Sequence, residues 1–168
     1  MEGNKYSGRI ESGGKTIFKY KINMEIKIKQ LKTFAPDITQ ALNNLLVQLN
    51  PNSKKLTDEE VKEIIEEKSS HLLIAKEPKD NKIVGMLTLI TFSAPSAKKG
   101  VLEDVVVDDN FQGKGIGKKL ITQAINMARE AGVARLEFTS NPERVKANKF
   151  YQHLGFKIRD TNVYRMEI

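Results

Sequence analysis

The sequence contains no cysteine. That removes disulfides, thiolate metal sites and any cysteine nucleophile, and it fits a reducing, cytoplasmic setting. Histidine is scarce too. His71 and His153 lie too far apart in the chain to read as a metal pair, so no metal is expected. No apolar run approaches the length of about 18 residues that a membrane-spanning helix requires. The N-terminus lacks the apolar stretch of roughly 7–15 residues that marks a secretion signal. No membrane association is therefore expected, and there is no internal repeat or low-complexity tract.

What is present is ordinary for one globular domain. The chain has 168 residues, 39% hydrophobic and 29% charged, enough for a core of its own. The net charge of +7 is unevenly spread: residues 1–34 carry 8 Lys/Arg against 3 Asp/Glu, and the other 134 carry 20 against 18. A basic tail can meet nucleic acid or an anionic surface, but it is more often solvated or appended. A nucleic-acid-binding domain would carry a basic body with interleaved aromatics. This body is near neutral, so no nucleic-acid partner is expected. Residues 1–23 are rich in Gly, Ser and Lys and are set apart as a basic, flexible segment. Met24 precedes the first clean strand pattern, and residues 24–168 are read as a single domain.

Periodicity then divides the chain. Ile26, Ile28 and Leu31 suggest a half-buried strand over 25–31. Ile38, Leu42, Leu45, Leu46 and Leu49 recur at helical spacing over 36–49, with Pro36 in the first turn. Thr57 and Glu60 form a capping box that opens a second helix over 57–68. Strands are expected at 71–76 and 83–92 around a turn at 78–81. A polar loop is expected at 93–100 and a strand at 101–107, whose Val105-Val106-Val107 run implies burial on both faces. A helix over 115–131 ends at Gly132 in the position after the cap. A short strand at 136–139, a helix over 142–154, and late strands at 156–159 and 163–168 complete the order. Three consecutive strands imply an antiparallel meander, and the β-α-β at 101–139 a parallel or splayed pair.

The most informative stretch is Val105–Leu120, V-V-V-D-D-N-F-Q-G-K-G-I-G-K-K-L. A buried strand ends, and Gly113, Gly115 and Gly117 lead into a helix. Residues without Cβ let a ligand approach the backbone, and the free N–H groups of a first helical turn attract anions. Lys114, Lys118 and Lys119 add positive charge. The segment reads as a phosphate or pyrophosphate cradle. It is not a P-loop, which needs four residues between its glycines and then Lys-Ser/Thr. Nor is it a G-x-G-x-x-G fingerprint, which would require glycine where Lys118 or Leu120 stands. A tight turn with solvated lysines is the alternative, and three glycines in five residues speak against it.

Residues 141–156 read N-P-E-R-V-K-A-N-K-F-Y-Q-H-L-G-F. Asn141 can cap and Pro142 can take the first helical position. At about 100° per residue, Ala147, Phe150 and Leu154 form an apolar stripe, with Arg144, Asn148 and Tyr151 together on its polar border. Tyr151 can pack its ring while its hydroxyl reaches a cleft. His153 falls well round the helix from this cluster, which argues against it as a base.

The spacing Gln112-Gly113-x-Gly115-x-Gly117 resembles the acetyl-CoA loop of the GNAT superfamily, Q/R-x-x-G-x-G/A. The run Ala147-Asn148-x-Phe150-Tyr151-x-x-Leu154-Gly155-Phe156 resembles its second signature segment. The resemblance runs from about Val101 to Phe156, and the element order extends it over 25–168. It implies an acetyl-CoA-dependent N-acetyltransferase without a metal. It also implies a mixed α/β (α+β) fold: a largely antiparallel sheet of six to seven strands flanked by about four helices. The cofactor contacts it implies are the amides of the loop on the pyrophosphate, over Gln112, Gly113, Lys114, Gly115, Ile116, Gly117 and Lys118, with Asn148 on the pantetheine arm, the backbone of Val105, Val106 and Val107 on the pantetheine and the oxyanion, and Asn141 as a further cofactor-binding residue. Tyr151 would lie at the thiol as the acid that protonates the departing thiolate. Family members are often dimers, which leaves a homodimer open as the assembly.

Amide formation from a thioester makes few demands. A lysine-like amine has a pKa of about 10, so a base must take its proton, directly or through water. A backbone N–H can hold the oxyanion. No covalent enzyme intermediate is needed, which suits a chain without cysteine and implies direct transfer in a ternary complex. Strand alternation puts Glu103 with Val101 and Val105 on one face, and Asp104 with Leu102 and Val106 on the other, so only one acid can face the reaction. Glu103 is the candidate base; an ion-paired strand-end acid, with water as the base, stays open. The run 103–107 is similar to glucosamine-phosphate N-acetyltransferases, but Thr139-Ser140-Asn141-Pro142 replaces their acidic stretch. Ser140-Asn141 is also similar to N-terminal protein acetyltransferases. A small-molecule amine is the favoured acceptor. A protein N-terminal or lysine acetyltransferase, or a non-catalytic acyl-CoA-binding module, is the alternative.

Overall fold

The computed structural model describes residues 11–12, 15–16 and 25–168. The basic segment 1–23 lies almost wholly outside the described residues. Within it only β1 (Glu11–Ser12) and β2 (Lys15–Thr16) are described, as an antiparallel pair. The remaining elements are β3 (Lys27–Gln30), α1 (Pro36–Leu49), α2 (Asp58–Glu66), β4 (Ser70–Lys76), β5 (Ile83–Ala94), β6 (Ala97–Val107), α3 (Ile116–Glu130), β7 (Arg135–Glu137) and α4 (Val145–His153). A 3-10 turn, Asp109–Phe111, joins β6 to the glycine loop.

The main sheet has the order β3-β4-β5-β6-β7, antiparallel except for the parallel β6–β7 pair. Alternation along the central strands feeds two cores. Leu72 and Ile74 of β4 join Ile38, Leu42 and Leu45 of α1 and Val61 of α2 on one face. Leu73 and Ala75 join Leu120, Ile121 and Ala124 of α3 and Tyr151 of α4 on the other. Each fully buried Leu or Ile contributes about 1.5–3 kcal/mol by leaving water, so the two faces together fix the helices to the sheet.

Helix boundaries follow local chemistry. Pro36 opens α1 where its missing N–H costs nothing. The Thr57–Glu60 capping box is complete: Glu60 N–H donates to Thr57 Oγ1 at 3.2 Å, and Thr57 N–H to Glu60 Oε2 at 2.8 Å. Gly132, at φ +71°, follows α3 in the left-handed position.

Four expectations need correction. The loop foreseen at 93–100 is instead a tight hairpin. β5 runs on to Ala94 and β6 begins at Ala97, leaving only Pro95 and Ser96 between them; both are exposed at the tip of the paired strands. The sheet has five strands, not six or seven, because 156–159 and 163–168 form no ladder among the described residues. Their backbones lack a partner strand, and Ile158, Val163, Tyr164, Met166 and Ile168 stay exposed. The helix foreseen from 142 begins at Val145: Asn141 Oδ1 accepts from Glu143 N–H at 2.8 Å, so it caps a preceding turn and not the helix. The fourth correction concerns β6 and belongs to the site.

Candidate active site

β6 and β7 pair only from Lys99↔Arg135 to Val101↔Glu137. Gly100 permits that contact, since a Cβ there would stand 2.5 Å from Leu136 Cδ2. Beyond it β7 ends while β6 continues to Val107, so the strands part and, among the described residues, one edge of β6 is left without a ladder. Polar backbone groups on such an edge seek a ligand or water. Phe138 and α4 flank this gap. Tyr151 is 7% exposed, its ring edge-on to Phe138 at 4.6 Å and tilted against Phe150 at 5.6 Å.

At the far end of β6 the glycine loop is built by its own side chains. Asp108 Oδ1 accepts from Asn110 N–H at 3.0 Å. Gln112 Nε2 donates to Asp109 Oδ1 at 2.7 Å and to Val107 O at 3.3 Å. Lys114 Nζ donates to Asn110 O at 3.0 Å and lies over the Phe111 ring. Gly113 and Gly115 have φ of +73° and +76°, where other residues are strained, and a Cβ on either would meet nothing within 4 Å. Gly115 caps α3, whose first intrahelical bond here is Lys119 N–H to Gly115 O at 3.1 Å. The amides of residues 113–118 bond no acceptor among the described residues. Six successive donors at a helix N-terminus form an anion site of the kind expected from the glycine spacing. Gln112 and Lys114 are turned inward onto the loop; of the two lysines in the first turn of α3, Lys119 has its Nζ 3.5 Å from Ile26 O.

The fourth correction is a β-bulge. The β5–β6 register slips between Met86↔Val106 and Thr88↔Glu103, leaving Leu87 opposite both Asp104 and Val105. Asp104 takes φ +51°. The alternation expected for 101–107 therefore breaks. Leu102 packs with the α3–α4 core and Val106 with the α1–α2 core, although even spacing would put them on one face. Glu103 pairs across from Thr88 before the slip, while Val105 and Val107 turn to the α3–α4 side. Glu103 and Asp104 are both exposed at the bulge, so alternation does not separate the two acids. Desolvation raises the pKa of Glu103, the neighbouring Asp104 charge raises it further, and the Arg165 guanidinium pulls it back. Desolvation also raises Asp104. The Tyr151 phenol is raised by burial and lowered by Arg144, the residue expected beside it on the helix.

Asn148 is already engaged. Its Nδ2 donates to Asn141 O at 2.9 Å and Pro142 O at 3.4 Å, tying the loop after β7 to α4. One residue is named in the sequence only as part of a resemblance and is given no place in the site there. Ser140, in the same loop between Phe138 and Asn141, has a buried hydroxyl with no hydrogen-bond partner among the described residues. A lone serine between a strand and a cap carries no periodic signal, so only packing exposes it. His71 is engaged with β3: Gln30 Nε2 donates to its Nδ1 at 3.1 Å, and burial with nearby Lys32 and Lys98 lowers its pKa. Among the described residues no group of three or more His, Asp or Glu is placed to hold a metal ion, and no helix is long and apolar enough to cross a membrane.

A probable glucosamine 6-phosphate N-acetyltransferase of Drosophila melanogaster is 30% identical over 86 residues, 49% of this chain. A glucosamine 6-phosphate N-acetyltransferase of Trypanosoma brucei brucei is 33% identical over 82 residues, 47% of the chain. The chain spans 38% and 54% of these relatives' lengths. The crystal structure of glucosamine-6-phosphate N-acetyltransferase from Arabidopsis thaliana superposes with a TM-score of 0.70 at 24% identity, covering 83% of this chain and 98% of that one, a likeness of fold. The family model of the acetyltransferase (GNAT) family matches residues 39–156, more than half of the chain and the whole of the splayed-strand site. With its glycine-loop cradle, its bulged strand and this match, the chain belongs to the GNAT family of acetyltransferases.

Proposed function

We propose that this chain moves an acetyl group from acetyl-CoA to a primary amine, by direct transfer in a ternary complex, and that the acceptor is a small molecule. One observation carries the cofactor reading: the unpartnered amides of 113–118 stand at the mouth of the gap between β6 and β7. Unsatisfied donors at a helix N-terminus call for an anion, and a pyrophosphate supplies one. The buried, unpartnered Ser140 hydroxyl further along the same gap calls for a polar ligand group there. The residues present therefore fit the cofactor, which brings an activated thioester.

The chain's own groups divide the work. Gly113, Lys114, Gly115, Ile116, Gly117 and Lys118 hold phosphate through their N–H groups, and Gln112 keeps the loop in shape. The free edge of Val105–Val107 pairs with the amides of the pantetheine arm, and Asn141 and Asn148 fix the opposite wall. A carboxylate whose pKa is raised by desolvation is the better base near neutrality. Glu103 takes the ammonium proton, directly or through one water, and Tyr151 gives its phenolic proton to the departing thiolate. The bulge at 104–105 frees a backbone donor for the oxyanion. Residues 24–168 form the catalytic unit, with 1–23 as a basic appendage. The favoured acceptor is a small amine because the relatives named above are glucosamine 6-phosphate enzymes. The acidic stretch missing after β7 argues against that particular sugar.

Titration calorimetry with acetyl-CoA, desulfo-CoA and NAD tests the reading. Micromolar acetyl-CoA binding with no NAD binding is expected, followed by turnover on a panel of small amines. Binding with turnover only on peptides would move the acceptor to protein. Binding without turnover on any amine would leave an acyl-CoA-binding module, and no binding at millimolar acetyl-CoA would overturn the cofactor assignment.

A further inference from the structure

The backbone N–H groups beyond β6 fall into two runs. Those of 113–118 have no acceptor among the described residues, whereas those of 108–112 are all bonded. Asp108 N–H donates to Val84 O at 3.0 Å, Phe111 N–H to Asp108 O at 2.7 Å and Gln112 N–H to Asp109 O at 3.4 Å. Asn110 N–H donates to Asp108 Oδ1 at 3.0 Å. The acceptor for Asp109 N–H comes from another element. It is Oε1 of Gln48, 61 residues away in the last turn of α1, at 2.9 Å. The opening N–H of a helical turn has no partner within the turn, so this side chain completes what the 3-10 turn cannot supply for itself. Gln48 can do so in one orientation only. Its Nε2 donates to Asn44 O at 3.1 Å, and exchanging the ends of the amide would set N–H against N–H and oxygen against oxygen.

We infer that Gln48 is a positioning residue for the glycine loop: it clips α1 to Asp109 and, through Asp109 and Gln112, holds the 113–118 amides where they receive phosphate. The clip stands on this geometry, and its consequence for a ligand rests on the acetyl-CoA reading above. Asp109 passes the restraint on. Its Oδ1 accepts from Gln112 Nε2 at 2.7 Å, and the same Nε2 donates to Val107 O at 3.3 Å. Gln112 is the last residue before the unbonded run, so its side chain sets where that run begins. The sheet holds the turn from the other side: Asp108 is 7% exposed, and its Oδ2 lies 3.8 Å from Lys82 Nζ. The turn is thus fixed at Asp108 by β5 and at Asp109 by α1. Removing the α1 anchor leaves the loop attached but free to tilt. Gln48 acts through other residues, so its loss should show in cofactor affinity and not in turnover at saturation. The coupling is reciprocal: a cofactor that stiffens the loop should also protect the last turn of α1.

Gln48→Met keeps the length and helix propensity of the side chain and removes the acceptor. In the cofactor-free whole chain, amide exchange followed by NMR should speed up at 109–112 and stay as in the parent along β4 and β5. The acetyl-CoA Kd should rise roughly three- to ten-fold, the span of one lost neutral hydrogen bond, with kcat at saturating acetyl-CoA unchanged. Gln40→Met is the control. It breaks the bond from Gln40 Nε2 to Asn44 Oδ1 at 2.8 Å on the same helix without reaching the loop, and it should alter neither readout. The double variant Gln48→Met/Gln112→Met should lose less affinity than the product of the two single losses, because both act through Asp109. Parent-like exchange at 109–112 in Gln48→Met would overturn the inference. So would a parent-like Kd, an equal loss in Gln40→Met, or a double variant showing the full product. Should the parent bind no acetyl-CoA, the cofactor reading falls by itself, and exchange at 109–112 still decides the clip: faster in Gln48→Met upholds it, and unchanged overturns it.

Discussion

At the residue scale the site rests on groups whose surroundings shift their proton affinity in useful directions. Tyr151 is buried, so its phenol stays protonated through the neutral range and can act as an acid. Tyr151→Phe keeps the ring against Phe138 and Phe150. It should leave the acetyl-CoA Kd unchanged and lower kcat by about 10²–10⁴, the usual span of a general acid; an unaltered kcat would remove Tyr151 from the chemistry. Glu103 has its pKa raised, which makes two tests. As a base it must be ionised, so the acid limb of the pH–rate profile should follow its raised pKa and flatten in Glu103→Gln. The linkage to stability has the opposite sign. A carboxyl that binds its proton more tightly when folded favours the fold below its unfolded pKa, and loses that advantage as pH rises through the folded one. Glu103→Gln should therefore melt higher than the parent at neutral pH, while turning over more slowly. A fall in both Tm and activity would show that Glu103 is holding structure.

At the element scale the sequence was legible wherever one side-chain pattern served one structural end. α1 spans the predicted residues because Pro36 and a regular apolar spacing agree. α2 begins at its capping box, and α3 stops where Gly132 permits a left-handed turn. The reading failed where pairing decided the outcome. No residue type announces the bulge at Asp104, which arises from β5–β6 register, and the sidedness of Glu103, Asp104 and Val106 changed with it. Val163–Ile168 has the pattern of a strand, but a strand also needs an edge. The loop before α4 was misread because Asn141 caps equally well a turn or a helix. Two glycines separate folding from binding. Gly115 and Gly132 share a positive φ and open space around a Cβ, so alanine at either should cost about 1–2 kcal/mol of stability. Only Gly115→Ala should also weaken acetyl-CoA binding, because only Gly115 aims the amides of the α3 N-terminus. Equal affinity in the two variants would mean that the loop holds no phosphate.

At the scale of the whole molecule, two cores clamp a sheet whose β6–β7 margin is left open, and the open margin is where the chemistry is proposed. The α1–α2 core carries Val106 and the α3–α4 core carries Leu102, so the bulge sits where the two packing systems hand over along one strand. On the proposed reading the site depends on residues 25–168 and not on the basic N-terminal stretch. Residues 1–23 hold 5 Lys/Arg against 2 Glu, or +3 of the net +7, leaving +4 on the remainder. If the pyrophosphate is held by the 113–118 amides with Lys118, deleting residues 1–23 should leave the acetyl-CoA Kd within about two-fold at physiological ionic strength, where charges beyond about 8 Å are screened. A loss that grows as salt is lowered would instead show that the basic stretch reaches the cofactor. The cradle would then be shared between the α3 N-terminus and the start of the chain.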